Sequence, residues 1–304
     1  LRAADLRFNE EETAAFLRTA MGLSLSPDEM AALEARTEGW IAGLQLAGLS
    51  LHGRSPEEAA RFIAAFTGSH RYIVDYLLDE VLLRQPEHLQ RFLMHTCILE
   101  RLCAPLCAAV LDGENPKADR IGASQEALES LERNNVFLIA LDDDRRWYRY
   151  HHLFADVLRM RLQEASSERV AELHRRAAVW CRAHGLVHDA LRHAKVANEP
   201  EWAAELVEDS VDDVLGVGEG ATLRGWLSAL PEAVVRSRPR LCLAQAIVAF
   251  NAGRLEEVEP LLDAAEHGLN VQPDRLLAIQ ADGQSALANV PALVANLRAS
   301  LAWA

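Results

Sequence analysis

The sequence predicts a mainly α protein, interrupted once by a small β-hairpin. Three observations carry that prediction. Apolar residues recur at helical spacing through most of the chain, as in Trp40, Leu44, Ala47 and Leu51. A capping residue followed three positions later by Glu, the signature of a helix start, occurs at Asn9, Ser26 and Ser55. Strand-like runs flank the acidic-basic turn Asp142 to Arg146: Phe137-Leu138-Ile139-Ala140-Leu141 before it and Trp147-Tyr148-Arg149-Tyr150 after it.

Taken in order, Leu1 to Phe8 reads as the end of a strand. Asn9 then starts a helix, with Glu12 in capping-box position and Phe16, Leu17 and Ala20 facing inward. In Ser26-Pro27-Asp28-Glu29, Ser caps, Pro takes the first helical position and Glu reaches back. Ser55-Pro56-Glu57-Glu58 repeats that chemistry. These starts cut the first seventy residues into short helices. Between them, Gly39 and Gly43 stand four apart in an apolar helical run. Glycine costs a helix about 1 kcal/mol relative to Ala, so two on one face predict a close approach to the backbone, by another helix or by a flat ligand.

Residues 71–165 read as one unit, with helices at about 71–84, 87–95, 102–111 and 123–134, a hairpin over 137–151 and a helix from His152. Leu153, Phe154, Val157, Leu158 and Leu162 give that last helix its apolar face. Helices followed by a two-stranded wing describe a winged-helix domain. The helix at 123–134, which would read DNA in such a domain, carries Glu126, Glu129 and Glu132 against Arg133 alone. That face repels phosphate backbones, so the domain is read as a protein-contact or switch module.

From about residue 168 the pattern is purely helical. Gly185 and Gly253 each end one helix ahead of another. They lie 68 residues apart, twice the roughly 34-residue period of tetratricopeptide repeats. Gly218 and Gly220 fall near the midpoint. Leu276 to Ala304 reads as a further helical pair, weakened by Gly283 and Pro291. Stacked helix pairs form a superhelix whose inner surface binds peptides or ligands; an irregular helical domain is the alternative.

Composition narrows the function. The 304 residues suffice for two or three domains. The chain starts at Leu1 without Met and stops at Ala304 inside an apolar helical pattern, which predicts a piece of a longer protein. No apolar run approaches the roughly 20 residues of a membrane span, and no signal peptide is visible; a soluble, cytoplasmic protein is expected. A formal charge of −14 disfavours direct DNA contact. The five cysteines, Cys97, Cys103, Cys107, Cys181 and Cys242, form no CxxC pair and are expected to be buried, reduced thiols. His184, His188 and His193 are read as surface or packing residues, and no metal site is expected. The only lysines, Lys117 and Lys195, do not follow a glycine, so the P-loop pattern GxxxxGK[ST] is absent. GxSxG, HExxH and GxGxxG are absent too, and no catalytic constellation is expected.

One pair stands out. His151 and His152 sit where the strand-like run turns helical. Free backbone N–H groups and the helix dipole attract anions to a helix N-terminus, so a histidine pair there is a phosphate-contact candidate. The same dipole makes such a histidine harder to protonate.

Three segments together resemble one family: Leu1-Arg2-Ala3-Ala4-Asp5-Leu6-Arg7-Phe8; Glu38-Gly39-Trp40-Ile41-Ala42-Gly43-Leu44-Gln45-Leu46-Ala47; and Trp147-Tyr148-Arg149-Tyr150-His151-His152-Leu153-Phe154, with Phe66 to Leu77 in support. They are similar to the MalT-like, ATP-dependent members of the LuxR-type transcriptional regulators, large signal-transduction NTPases of the STAND class. The resemblance spans most of residues 1–265. It implies that residues 1–8 end a nucleotide-binding domain, 9–70 form a helical lid, 71–165 a winged helix, and 166–304 the start of a tetratricopeptide-like superhelical sensor. By that resemblance His151 is the residue whose imidazole touches the β-phosphate of ADP, and His152 falls where relatives carry Asp. Gly39, Trp40 and Ile41 match the lid segment beside adenine, with Ile41 where many relatives have Pro.

The implied protein is an inducer-responsive transcriptional activator switched by ATP and ADP with Mg²⁺. Its partners are an upstream P-loop domain, a downstream helix-turn-helix and a small-molecule or protein inducer on the superhelix, with self-association on activation. This segment is expected to bind no nucleotide alone, to touch no DNA or membrane, and to have no enzymatic activity; any ATP hydrolysis would be slow and performed by residues outside it. The alternative is a helical-repeat scaffold without a nucleotide link. A hydrolase using His151 or His152 as general base lacks an accompanying nucleophile or metal-ligand set.

Overall fold

A computed structural model describes residues 7–302, apart from 24, 53, 67–70, 114–115, 217 and 272–288. The chain divides into two compact units, Leu1–Arg176 and Ala177–Ala304.

The first unit opens with four short helices, α1 (Glu10–Thr19), α2 (Pro27–Thr37), α3 (Ile41–Leu51) and α4 (Pro56–Ala65). Capping boxes at Asn9, Ser26 and Ser55 start α1, α2 and α4 as the spacing predicts: each side chain accepts from the backbone three residues on, and the Glu there reaches back. Each cap satisfies amides that have no partner within the helix. Ser26→Ala is therefore expected to cost about 1 kcal/mol, read as a lower urea midpoint; an unchanged midpoint would show that the cap contributes nothing. Leu33, Leu44, Ala47 and Ile63 are buried between these helices.

The winged part follows: α5 (Arg71–Tyr76), α6 (Glu87–Thr96), α7 (Ala104–Asp112), α8 (Ala118–Arg133), β1 (Leu138–Ala140), β2 (Tyr148–Tyr150) and α9 (His152–Ala165). The predicted hairpin is present and antiparallel, pairing Leu138 with Tyr150 and Ala140 with Tyr148. Alternation places Tyr148 and Tyr150 in the core and turns Arg149 to the other face. The Tyr150 hydroxyl meets Thr96 Oγ1 at 2.7 Å and so ties the wing to α6.

Three details differ from the sequence-based expectation. The helix predicted over 71–84 changes to a π-helical turn at Leu77–Leu82. Leu102, expected to begin a helix, instead exchanges two backbone hydrogen bonds with Tyr148 (2.7 and 2.8 Å), and α7 begins only past the extended Cys103. α8 begins at Ala118, ahead of the expected 123, because Gly122 is accommodated inside it. Of the predicted N-terminal strand, Leu1–Leu6 lie outside the described residues; Arg7 forms an antiparallel bridge with Trp40.

α10 (Ser167–Ala183) contains the boundary between the units. The second unit continues with α11 (Val187–Val196), α12 (Pro200–Gly216), α13 (Gly220–Ala229), α14 (Glu232–Arg236), α15 (Pro239–Asn251), α16 (Val258–Val271) and α17 (Val290–Leu301). Gly185, Gly218 and Gly253 end helices in the same way. Each has φ between +71° and +76°, and the following amide bonds back to a carbonyl five residues earlier: Leu186 to Cys181, Glu219 to Val214, Arg254 to Ala249. This is the hydrogen-bond pattern of a glycine helix stop. Pro291 lies in the first turn of α17, where proline starts a helix rather than weakening it. The rest of the pair predicted over Leu276 to Ala304, including Gly283, lies outside the described residues.

All five cysteines are buried thiols outside any disulfide, as expected; burial pushes the Cys97 thiol up to about 12 and that of Cys242 to about 11. No helix among the described residues is long and apolar enough to cross a membrane.

Candidate functional site

The two segments singled out from sequence, 39–41 and 151–152, meet in the first unit. β2 ends at Tyr150, and His151 is fixed at the start of α9 by its amide, which donates to the Phe137 carbonyl at 2.8 Å. His151 is the N-cap of α9: its Nδ1 accepts from the Leu153 amide at 3.3 Å. With Nδ1 accepting, Nε2 carries the proton and donates to the Thr37 carbonyl, 2.9 Å away at the end of α2. The side chain is 2% exposed. Its ring lies edge-on to Trp40 (centroids 6.1 Å apart) and Phe137 (5.7 Å) and stacks on His152 (4.9 Å).

Burial lowers the His151 pKa to about 4, against the opposing pull of Glu38 and the Thr37 hydrogen bond. The direction agrees with that expected at a helix N-terminus, but desolvation is the main cause. The residue is neutral at pH 7 with both ring nitrogens engaged.

Glu38 organises the polar side of the site. Arg149 grips it in fork geometry, Nη1 to Oε1 at 2.9 Å and Nη2 to Oε2 at 2.8 Å. His152 Nδ1 lies 2.7 Å from Oε1, and Arg7 approaches Oε2 at 3.5 Å. Burial alone would raise the Glu38 pKa, but the hydrogen bonds from His152 and Arg149 outweigh it and hold the carboxyl far below its usual range. Glu38 sits at the C-cap of α2 with φ +49°, a left-handed turn that swings its side chain towards the wing. Neither Glu38, Thr37 nor Arg149 is assigned a role from sequence. The available signals are the polar face of the alternating wing strand and a chain stop at Glu38-Gly39.

Gly39 and Gly43 correct one expectation. They do not share a helix face, because Gly39 precedes α3 with φ +71°. Within the chain, what comes close to each is a neighbouring backbone or ring and not a second helix. A Cβ on Gly39 would fall 2.2 Å from the Phe8 carbonyl oxygen, and one on Gly43 would fall 2.4 Å from the ring of Trp40. Trp40 thus lies back over its own helix, with Tyr76 at 5.6 Å and Phe137 at 4.9 Å between centroids. Ile41 opens α3 and is half-buried.

Among the described residues, Glu38, His151 and His152 are the one group of three potential metal donors, with ligand atoms within 4.8 Å of one another. Their donor atoms are already committed. Arg149 and His152 occupy the carboxylate, and Thr37 and Leu153 take the nitrogens of His151. A cation there would also face the Arg149 guanidinium, so the cluster fits a latch better than a metal centre. His184, by contrast, stacks on Trp180 (3.8 Å), and His193 is 1% exposed, in keeping with surface and packing roles.

Residues 78–170 match the MalT winged helix domain family. Over 295 residues the chain is 36% identical to the serine/threonine-protein kinase PknK of Mycobacterium tuberculosis (strain ATCC 25618 / H37Rv), covering 95% of this chain and 26% of that protein. It is 31% identical over 271 residues to the HTH-type transcriptional regulator MalT of Klebsiella pneumoniae (strain 342), covering 88% of this chain and 29% of the relative. The MalT of Yersinia pestis (strain Pestoides F) is 31% identical over 263 residues, 86% of this chain and 28% of the relative. The chain therefore spans less than a third of the length of these relatives.

Proposed function

We propose that the chain is a MalT-like regulator segment, its residues 78–170 matching the MalT winged helix domain, and that it couples a nucleotide switch to a helical-repeat sensor in a transcriptional regulator. ATP or ADP with Mg²⁺ binds a separate P-loop domain of the same protein. Residues 9–70 serve as its lid, 71–165 as the winged helix that senses phosphate, and 166–304 as the start of a tetratricopeptide-like superhelix that receives an inducer. The repeated glycine helix stops at Gly185, Gly218 and Gly253 support the superhelix, falling near the period of such repeats.

The convergence of Thr37–Trp40 with Arg149–His152 carries this reading. These segments lie more than a hundred residues apart in sequence, yet Glu38 is bonded to both Arg149 and His152. A phosphate near α9 competes with the Thr37 carbonyl for one proton donor, Nε2 of His151. Nucleotide state thereby alters the hold of the winged helix on the lid, and an inducer that favours one arrangement shifts the other by linkage. Gly39, Trp40 and Ile41 border this contact, where an adenine ring packs against the lid.

The similarity to both a kinase and a transcriptional regulator favours a control segment that works with different outputs. It also keeps the scaffold reading distinct: a scaffold would be indifferent to nucleotide. In the intact protein, His151→Ala is expected to reduce retention of ADP and to raise basal transcription on the order of tenfold. Filter retention of labelled ADP and a reporter assay decide this; if neither changes, the switch assignment is wrong and the scaffold stands.

A further inference from the structure

The second unit holds a groove of about 400 Å³ between α11 and α13. That volume lies in the range of roughly 300–1,000 Å³ typical of small-ligand sites. From α11, His188, Leu191, Arg192 and Lys195 face it at the i, i+3, i+4, i+7 spacing of one helix side. From α13 come Gly225 and Trp226.

Three features point to a ligand. First, Gly225 lies inside a helix, where glycine costs about 1 kcal/mol relative to Ala, yet a Cβ there would meet nothing within 4 Å. No protein contact demands this glycine, so its absent side chain leaves open space in the groove wall. Second, the Nε1 of Trp226 is sealed from solvent without an acceptor among the described residues. It is the only polar atom of that side chain, so the surface Trp226 offers is entirely hydrocarbon and suits a flat apolar body. Third, the rim is basic in a chain of net charge −14 that contains two lysines. Lys195 and His188 are exposed, and Arg192 is held by Asp189 at 3.3 Å.

We propose that this groove binds a small organic anion with a flat apolar body. The ring lies over Gly225 against Trp226, and the acidic group turns towards Lys195 and His188. Calling that anion a signal rests on the inducer-responsive reading above; the binding itself does not.

The test is calorimetric titration of the full chain with 1-naphthoate, and with neutral 1-naphthalenemethanol as its uncharged counterpart. Naphthoate is expected to bind with a Kd below about 1 mM. Lys195→Gln should weaken naphthoate about tenfold and leave naphthalenemethanol unchanged. Gly225→Leu improves helix propensity while filling the space, so it should keep or raise the melting temperature and abolish binding of both. No heat at millimolar naphthoate overturns the proposal. So do equal affinities for the two probes, or unaltered naphthoate binding in folded Gly225→Leu. None of these outcomes touches ADP retention by the His151 variant, so the two readings fail separately.

Discussion

Gly39→Ala is expected to destabilise the first unit by about 3 kcal/mol, because two penalties fall on one atom. At φ +71° an L-residue adopts a left-handed conformation, which costs roughly 1–2 kcal/mol. The new Cβ would also fall 2.2 Å from the Phe8 carbonyl oxygen, a backbone atom that cannot swing aside as a side chain can. Relief requires separating Phe8 from Gly39 and breaking the 2.9 Å bond from the Phe8 amide to the Gly39 carbonyl, a further loss of about 1 kcal/mol. Gly22 provides the control. Its φ is +65°, but a Cβ there meets nothing within 4 Å, so Gly22→Ala incurs the conformational cost alone. Urea denaturation should separate the two variants by about 1 kcal/mol; equal losses would mean that the approach of Phe8 is without consequence. Since Glu38 precedes Gly39 in a second left-handed turn, the same substitution should disturb the grip of Arg149.

Which features could be read from sequence follows from the range of the interactions that form them. The capping boxes at Asn9, Ser26 and Ser55 close within four residues, so local spacing specifies them fully. The wing is similarly local: Leu138 pairs with Tyr150 across one turn. The histidine pair announces itself by falling at a strand-to-helix junction. What spacing cannot give is the partner. Thr37 and Glu38 reach His151 and His152 only because the chain between them folds back, and nothing near Glu38 in sequence signals that return. Gly39 and Gly43 show the same limit: a missing side chain implies something close by, but only the fold identifies it as Phe8 for one and Trp40 for the other. Leu102 looks like a helical position by its apolar neighbours, yet its backbone serves the edge of the wing instead. Gly218 is the converse case. Its equivalence to Gly185 and Gly253 rests on backbone hydrogen bonds, so from sequence it is one of two glycines near a midpoint.

The acid sensitivity of the first unit should depend strongly on His151. An unfolded histidine titrates near pH 6.5; in the fold, burial brings His151 to about 4. Above pH 6.5 both states are neutral and the native contacts count in full. Between pH 6.5 and 4 the unfolded chain takes up a proton that the folded chain refuses, so stability falls as pH falls. Below pH 4 both states are protonated and this source of pH dependence ends. At 1.36 kcal/mol per pH unit the window amounts to roughly 3 kcal/mol. Glu38 adds a separate loss at lower pH. Its carboxyl is held in the charged form by His152 and Arg149, so its contribution is present above the usual carboxylate pKa and disappears on further acidification. The two windows can be separated with His151→Asn, which retains an acceptor for the Leu153 amide but cannot titrate. At pH 7 the variant should be the less stable, having lost the bond to Thr37. Between pH 6.5 and 4 its stability should fall more gently than that of the parent, and the two curves should close on each other near pH 4. Parallel curves would show that His151 is protonated equally in both states and is therefore not held as a neutral cap. The two ring nitrogens bear differently on the switch: acid adds its proton at Nδ1, removing the acceptor of the Leu153 amide, and leaves Nε2–H donating to the Thr37 carbonyl. Acid should therefore loosen the start of α9, whereas a phosphate, by competing for Nε2–H, should loosen the contact between α2 and α9.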